Sequence, residues 1–223
     1  MNDANVSLVR VWEWPLRVWH WLFAATVAGS LITGLSGDIG WMDWHLRFGF
    51  VAAGLLLFRL FWGFLGGPYS RWRTYWTTPG RVIGYFRNAA DHAQPTPAAA
   101  HTPPGVLLIW LFMLAVLMQT VTGLFTTDDI FIEGPMVRHA SGDLVSSMGW
   151  LHHRVYYLVL FAIGMHLLAH LYYGLRRDPL PLSMLTGKKR LPAALADVQG
   201  MGLKGLVLGA ISAALVWAAL TLV

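Results

Sequence analysis

The sequence predicts an all-α integral membrane protein: a four-helix transmembrane bundle followed by a fifth, C-terminal transmembrane helix. Three observations lead there. Only 12% of the 223 residues are charged and 56% are hydrophobic, whereas a water-soluble domain carries about 25% charge. The apolar residues fall into five runs, each long enough to cross a hydrocarbon core of about 30 Å at about 1.5 Å per helical residue. Histidines stand inside or at the ends of three of these runs, where such a side chain is costly unless it is used.

The first span covers about residues 16–36, with His20 near its start and Gly29 and Gly34 placed to let a bulky neighbour approach the backbone. The second covers about 45–65; it begins at His45 and carries Arg59 well inside. Residues 66–103 form the longest connection. It contains Arg71, Arg73, Arg81 and Arg87 and ends in the Pro/Ala stretch QPTPAAAHTPP. Within it, residues 79–90 read as a short interfacial helix. The third span, about 104–125, has no charge and no histidine. Residues 126–149 read as a loop holding Asp128, Asp129, Glu133 and Asp143 against Arg138. The fourth span, about 150–175, carries His152, His153, His166 and His170. A basic connection follows, with Arg176, Arg177, Lys188, Lys189, Arg190 and Lys204. The last apolar run, 205–223, lies in a segment 201–223 that is set apart from the domain formed by residues 1–200.

The basic second and fourth connections mark the cytoplasmic side. The N-terminus is therefore expected in the cytoplasm and the C-terminus outside. The net charge of +5 orients the chain and gives no reason to invoke nucleic acid. Twelve tryptophans, many at segment ends, suit an interfacial aromatic belt. The chain has no cysteine, which excludes disulfides, thiolate metal sites, iron–sulfur clusters and covalent C-x-x-C-H haem attachment.

Depth sorts the histidines into two pairs. His45 and His152 lie at the outer ends of spans two and four, and His20 and His166 lie further in. His152 and His166 are separated by about 21 Å along one helix and by about 40° around it. Facing histidines in a helix bundle hold b-type haem through both axial positions, which favours electron transfer over oxygen binding. Two non-covalent haems b would then form a wire across the bilayer. His170 competes with His166: it lies nearer the face of His152, but about 27 Å from it along the axis. Depth leaves that choice open. His153 points about 100° away from His152 and reads as a loop-contacting residue. His92, His101 and His139 are expected on solvated loops. Arg59 stands at the depth of the inner pair and is a candidate partner for haem propionates; the alternative is snorkelling to the interface. Arg47 and Arg154, each two residues beyond an outer histidine, suit the outer haem or the docking of a partner. Asp128, Asp129 and Glu133 form an acidic outer patch that would attract a basic partner, or a plain solvated loop.

Five blocks occur in order: VRVWEWPLRVWHW, HLRFGFVAAGLLLFRLFWGFLG, TGLFTTDDIFIEGP, LHHRVYYLVLFAIGMH and LPLSMLTGKKR. Together they resemble the bacterial cytochrome b561 family, related to the b-type cytochrome subunit of membrane nickel–iron hydrogenases, over about residues 6–191. The resemblance implies a four-helix bundle in the bacterial inner membrane holding two haems b. It implies axial ligands at His20, His45, His152 and His166, with the inner ligand at 166 rather than 170. It also implies electron transfer between a quinone pool (ubiquinone or menaquinone) and a periplasmic partner, either a cytochrome c or a hydrogenase-like dehydrogenase. The fifth hydrophobic segment departs from that pattern and suits subunit assembly.

Two other functions compete with that of an electron-transfer subunit. One is a stand-alone quinone-linked oxidoreductase such as a superoxide oxidase. The other is a histidine-lined transporter, against which stands the absence of intramembrane acids and broken-helix pairs.

Overall fold

The computed structural model describes residues 6–90, 101–128, 130–176, 182–192, 198 and 201–221. His92, Asp129, Arg177 and residues 94–100 of the Pro/Ala stretch lie outside them. In chain order the elements are β1 (Val6–Arg10), α1 (Trp14–Leu35), α2 (Met42–Leu65), α3 (Pro79–Ala90), α4 (Pro103–Gly123), α5 (Gly142–Leu175), α6 (Ser183–Thr186), β2 (Lys188–Pro192) and α7 (Gly202–Thr221). Five helices, α1, α2, α4, α5 and α7, are long and apolar enough to cross a membrane.

These segments become helices because a backbone in lipid must bond to itself, and local signals set their ends. Pro15 opens α1, and Pro103 and Pro104 open α4, at positions whose N–H needs no helical partner. Thr102 caps α4 by accepting from the Gly105 N–H, and Ser141 caps α5 by accepting from the Leu144 N–H. The Ser141 cap explains the one large boundary difference. The helix expected from residue 150 begins at Gly142, so residues 142–149 are helical rather than loop. At 34 residues, α5 is about 51 Å long and overreaches the hydrocarbon core by about 20 Å. The short helix expected at 79–90 is present as α3.

α1 packs along α2 and α4 along α5, α2 touches α4, and α7 lies along α2 with a smaller contact to α1. Gly205 of α7 lets this happen: a Cβ there would stand 2.5 Å from Cβ of Pro15. Two apolar clusters hold the assembly. One joins Phe23 and Val27 of α1, Leu56 of α2, Ala115 and Val116 of α4, and Val155 and Val159 of α5. The other joins Trp12, Leu16, Phe58, Trp62 and Leu208 to Val9 and Leu191. The outward faces are apolar as well, with Ile32, Leu60, Leu114, Leu168 and Leu175 exposed, as lipid contact requires.

The strands were not visible in the sequence. β1 pairs antiparallel with β2, from Val6 opposite Pro192 to Arg10 opposite Lys188. The N–H groups of Val11 and Trp12 both donate to the Gly187 carbonyl (2.9 and 3.0 Å). Gly187 sits in the left-handed region (φ 78°), where a side chain would be strained. Glu13 completes the joint: its Oε1 accepts from Trp62 Nε1 (2.9 Å) and from the Gly67 N–H (2.8 Å). The molecule therefore has two distinct ends, one bearing the strand pair and the other bearing the α1–α2 turn.

Candidate functional site

α1, α2 and α5 bring four histidine rings into two facing pairs. At the turn end, His45 of α2 faces His152 of α5 with ring centroids 6.1 Å apart and planes at 84°. Toward the strand end, His20 of α1 faces His166 of α5 at 6.3 Å and 46°. Two metal–nitrogen bonds of about 2.0–2.1 Å would take up about 4 Å of either distance, and the two ring radii the rest. Among the described residues no three or more His, Cys, Asp or Glu side chains converge on a metal site. Each pair therefore offers two imidazoles at a spacing that suits a metal whose other positions are filled by a macrocycle.

The turn-end pair is oriented by its neighbours. Nδ1 of His45 donates to the Ser30 carbonyl of α1 (2.9 Å). Nδ1 of His152 donates to the Gln119 carbonyl of α4 (3.0 Å), with the Thr122 hydroxyl at 3.1 Å. These bonds set the tautomer and leave each Nε2 unprotonated; that of His152 accepts from the Gln119 side-chain amide nitrogen (3.3 Å). Glycines make the room: a Cβ on Gly34 would lie 2.6 Å from Cε1 of His45, and one on Gly123 would lie 3.0 Å from Cε1 of His152. Both rings line a cavity of about 400 Å³, together with Leu31, Gly49, Phe50 and Val159. Mostly apolar walls with a few convergent polar groups are usual for a cofactor site of this size.

At the other pair, Nδ1 of His20 is buried with no hydrogen-bond partner. His166 Nε2 lies 3.1 Å from Nε2 of His170 one turn on, so both candidates sit at this level, and the ring that faces His20 in a close pair is that of His166. Arg59 does not snorkel. It is 2% exposed, and its guanidinium carbon stands 4.2 Å from the ring centroid of Trp72, 4.9 Å from that of Tyr75 and 5.9 Å from that of Trp19. The aromatic faces favour the cation, yet neither Nη atom has a hydrogen-bond partner. A buried cation of this kind calls for an anion.

His101 departs from expectation. It is packed between Trp12 and Tyr75, with both ring centroids at 4.9 Å, and its Nε2 lies 3.1 Å from the Tyr75 hydroxyl. Burial, helped by the charges of Lys189 and Arg59, pushes its pKa down to about 3. A loop histidine reads as solvated from its neighbours in sequence, and only the fold covers it.

The remaining candidates are held elsewhere. Arg47 lies over Trp44 (5.0 Å), and Arg154 over Trp150 (4.0 Å) while donating to the Trp150 carbonyl. Both are exposed. His153 is also exposed and bonds to the Gly149 carbonyl. In the acidic loop, Asp128 Oδ1 accepts from the N–H groups of Ile130, Phe131 and Ile132. Those bonds pull its pKa below the usual carboxylate range. Glu133 pairs with Arg138 at 3.3 Å. Sequence reasoning missed Gln119, the polar residue of α4 that also donates to the His152 carbonyl (3.0 Å). An amide inside an otherwise apolar span was the available signal.

Residues 11–187 match the family model for prokaryotic cytochrome b561. Over 210 aligned residues the chain is 25% identical to the probable Ni/Fe-hydrogenase 1 B-type cytochrome subunit of Escherichia coli (strain K12), covering 79% of this chain and 86% of that protein. It is 24% identical to the probable Ni/Fe-hydrogenase B-type cytochrome subunit of Rhizobium leguminosarum, covering 76% and 82%. The corresponding subunit of Azotobacter chroococcum is 23% identical, covering 77% and 82%. With its five long apolar helices and a family match over most of its length, the chain belongs to the prokaryotic cytochrome b561 family and is a multi-pass membrane cytochrome of the b type.

Proposed function

We propose that the chain is a diheme b-type cytochrome that carries electrons across the bacterial inner membrane, between a ubiquinone or menaquinone pool and a periplasmic partner. His45 and His152 hold one haem b; His20 and His166 hold the other. The observation that carries this reading is the matched spacing of the two histidine pairs, 6.1 and 6.3 Å, each suited to one axially ligated iron. The domain that does this work is residues 1–200, a four-helix bundle of α1, α2, α4 and α5. α7, on its flank, serves assembly.

When bound, each haem supplies a one-electron couple. The chain's own residues do the rest. The carbonyls of Ser30 and Gln119 hold the Nδ1 atoms of His45 and His152 and keep each Nε2 unprotonated, so that it could serve as a ligand once the Gln119 amide leaves that of His152. Phe23, Val27, Val155 and Val159 fill the space between the two levels and keep water out. Arg59, caged and without an anionic partner, offers its Nη groups to a propionate at the His20/His166 level. Arg47 and Arg154 serve the outer level.

The basic second and fourth connections support a cytoplasmic N-terminus and a periplasmic C-terminus. The printed names of the relatives, hydrogenase cytochrome subunits, favour a hydrogenase-like dehydrogenase over a cytochrome c as the periplasmic partner. A pyridine haemochrome assay and a dithionite-minus-air spectrum of the purified protein test the reading. Two extractable b haems per chain are expected. Ala at His45 or His152 should remove one of them, and Ala at His20 or His166 the other, while His170→Ala keeps both. One haem or none in the wild-type protein sinks the two-pair assignment. Co-purification with a hydrogenase supports the partner; rapid reduction of the lone protein by superoxide would replace it with an oxidase.

A further inference from the structure

α3 is built for a surface that the protein itself does not supply. At about 100° per residue, Val82, Ile83, Tyr85 and Phe86 share one arc of about 160°, and Arg81, Gly84, Arg87 and Asn88 fill the opposite one. The apolar arc is itself divided. Val82 and Tyr85 are part-buried against the body, and the Tyr85 hydroxyl meets that of Tyr173 near the end of α5. Ile83 and Phe86 turn outward, 58% and 57% exposed. Trp76, just upstream, is 79% exposed. Three large apolar side chains thus emerge within eleven residues of one connection, at the strand end of the spans.

The charge around them identifies what covers them. Arg81 and Arg87 border the apolar arc, and both are exposed. Arg73, Arg176, Lys188 and Lys204 lie on connections and helix ends of the same side. Among the described residues of that side the one carboxyl, Glu13, is buried and engaged; Asp91, Asp178 and Asp197 of the same connections lie outside them. An apolar stripe edged with arginine, on a helix packed against α4 and joined to α5 through Tyr85 and Tyr173, matches the anionic phospholipid of a leaflet. We propose that α3 and Trp76 form a membrane-surface anchor: Ile83, Phe86 and Trp76 enter the acyl boundary, and Arg81 and Arg87 engage anionic headgroups.

The anchor has a consequence for the interior. The same connection carries Trp72 and Tyr75, which cage Arg59. Trp110 of α4 clamps it there, stacking on Trp72 at 5.3 Å and donating to the Tyr75 carbonyl (2.9 Å). Lipid contact at residues 76–86 therefore holds the far end of the segment that closes over Arg59. The inference stands whether or not the histidine pairs hold haem.

Because the chain lacks cysteine, single reporters are unambiguous. Ile83→Cys, Phe86→Cys, Gly84→Cys and Asn88→Cys, each in the full chain and nitroxide-labelled, are placed in nanodiscs of phosphatidylcholine with or without phosphatidylglycerol. With phosphatidylglycerol, labels at 83 and 86 should be open to oxygen and at least several-fold shielded from a water-soluble nickel chelate. Labels at 84 and 88 should show the reverse. Removing phosphatidylglycerol, or changing Arg81 and Arg87 to Gln, should erase most of the contrast. Labels at 83 and 86 that meet the chelate freely in both lipids overturn the anchor. Labels shielded from both reagents indicate a protein contact and also overturn it. Equal burial in both lipids overturns the assignment to anionic headgroups.

Discussion

Gly34 and His45 stand so close that a Cβ on Gly34 would lie 2.6 Å from Cε1 of the imidazole. Helices α1 and α2 can present His45 to His152 only because position 34 has no side chain. Overpacking of this kind costs about 1–3 kcal/mol. Gly34→Val should therefore weaken haem retention at the His45/His152 level by about 5- to 150-fold, taking the haemochrome count from two toward one. Gly123→Ala, where the clearance is 3.0 Å, should keep both haems. Two retained haems in Gly34→Val would mean that α1 and α2 separate easily.

Arg59 gives a prediction that separates electrostatics from packing. If its Nη groups meet a propionate, Arg59→Leu removes a positive charge beside one haem only. The oxidised state gains, and that haem's midpoint should fall by about 60 mV or more, a tenfold change in a one-electron equilibrium. The other haem should stay within error. Spectroelectrochemical titration resolves the two. Unchanged midpoints for both would leave Arg59 a purely structural cation held by Trp72 and Tyr75.

His101 makes stability depend on pH with a definite sign. Its pKa in the folded protein is about 3, against an ordinary value near 6.5. Above about pH 6.5 both folded and unfolded chains carry the neutral ring, and the group contributes no slope. As the pH falls toward 3 the unfolded chain takes up the proton first. Stability is then lost at up to about 1.4 kcal/mol per pH unit. Melting curves in detergent between pH 7.5 and 4.5 should fall more steeply for wild type than for His101→Phe, which keeps an aromatic ring between Trp12 and Tyr75. Parallel curves would show that the ring is protonated without penalty.

Glu13 fastens the start of α1 to the end of α2. Glu13→Ala strands two buried donors, Trp62 Nε1 and the Gly67 N–H, at a cost of about 2–4 kcal/mol. Glu13→Gln keeps an acceptor and should lose less than half as much. Thermal loss of haem absorbance measures both. Equal midpoints for the two variants would mean that water replaces the carboxyl oxygen.

The spans were legible because lipid imposes a local rule: each crossing segment must be apolar and helical, so five runs and their ends can be read one at a time. Pro15 and the Pro103–Pro104 pair stand at the starts of α1 and α4. The histidine levels were legible for the same reason, since depth in a membrane is a count of residues. The His166/His170 choice was not, because four residues of helix change depth and direction together. α5 was placed eight residues short because residues 142–149 carry no apolar run, and the cap that starts them is one serine.

The sequence by itself determined the crossing segments, the absence of thiol chemistry and the levels at which histidines stand, because each depends on residue type and a fixed rise per residue. Only the tertiary structure decided what those residues meet: that β1 pairs with β2 across the length of the chain, that Arg59 is caged rather than snorkelling, that His101 is covered, and that His20 faces His166. Such contacts join residues tens to hundreds of positions apart. They depend on how helices and loops pack against one another, and no local pattern records it.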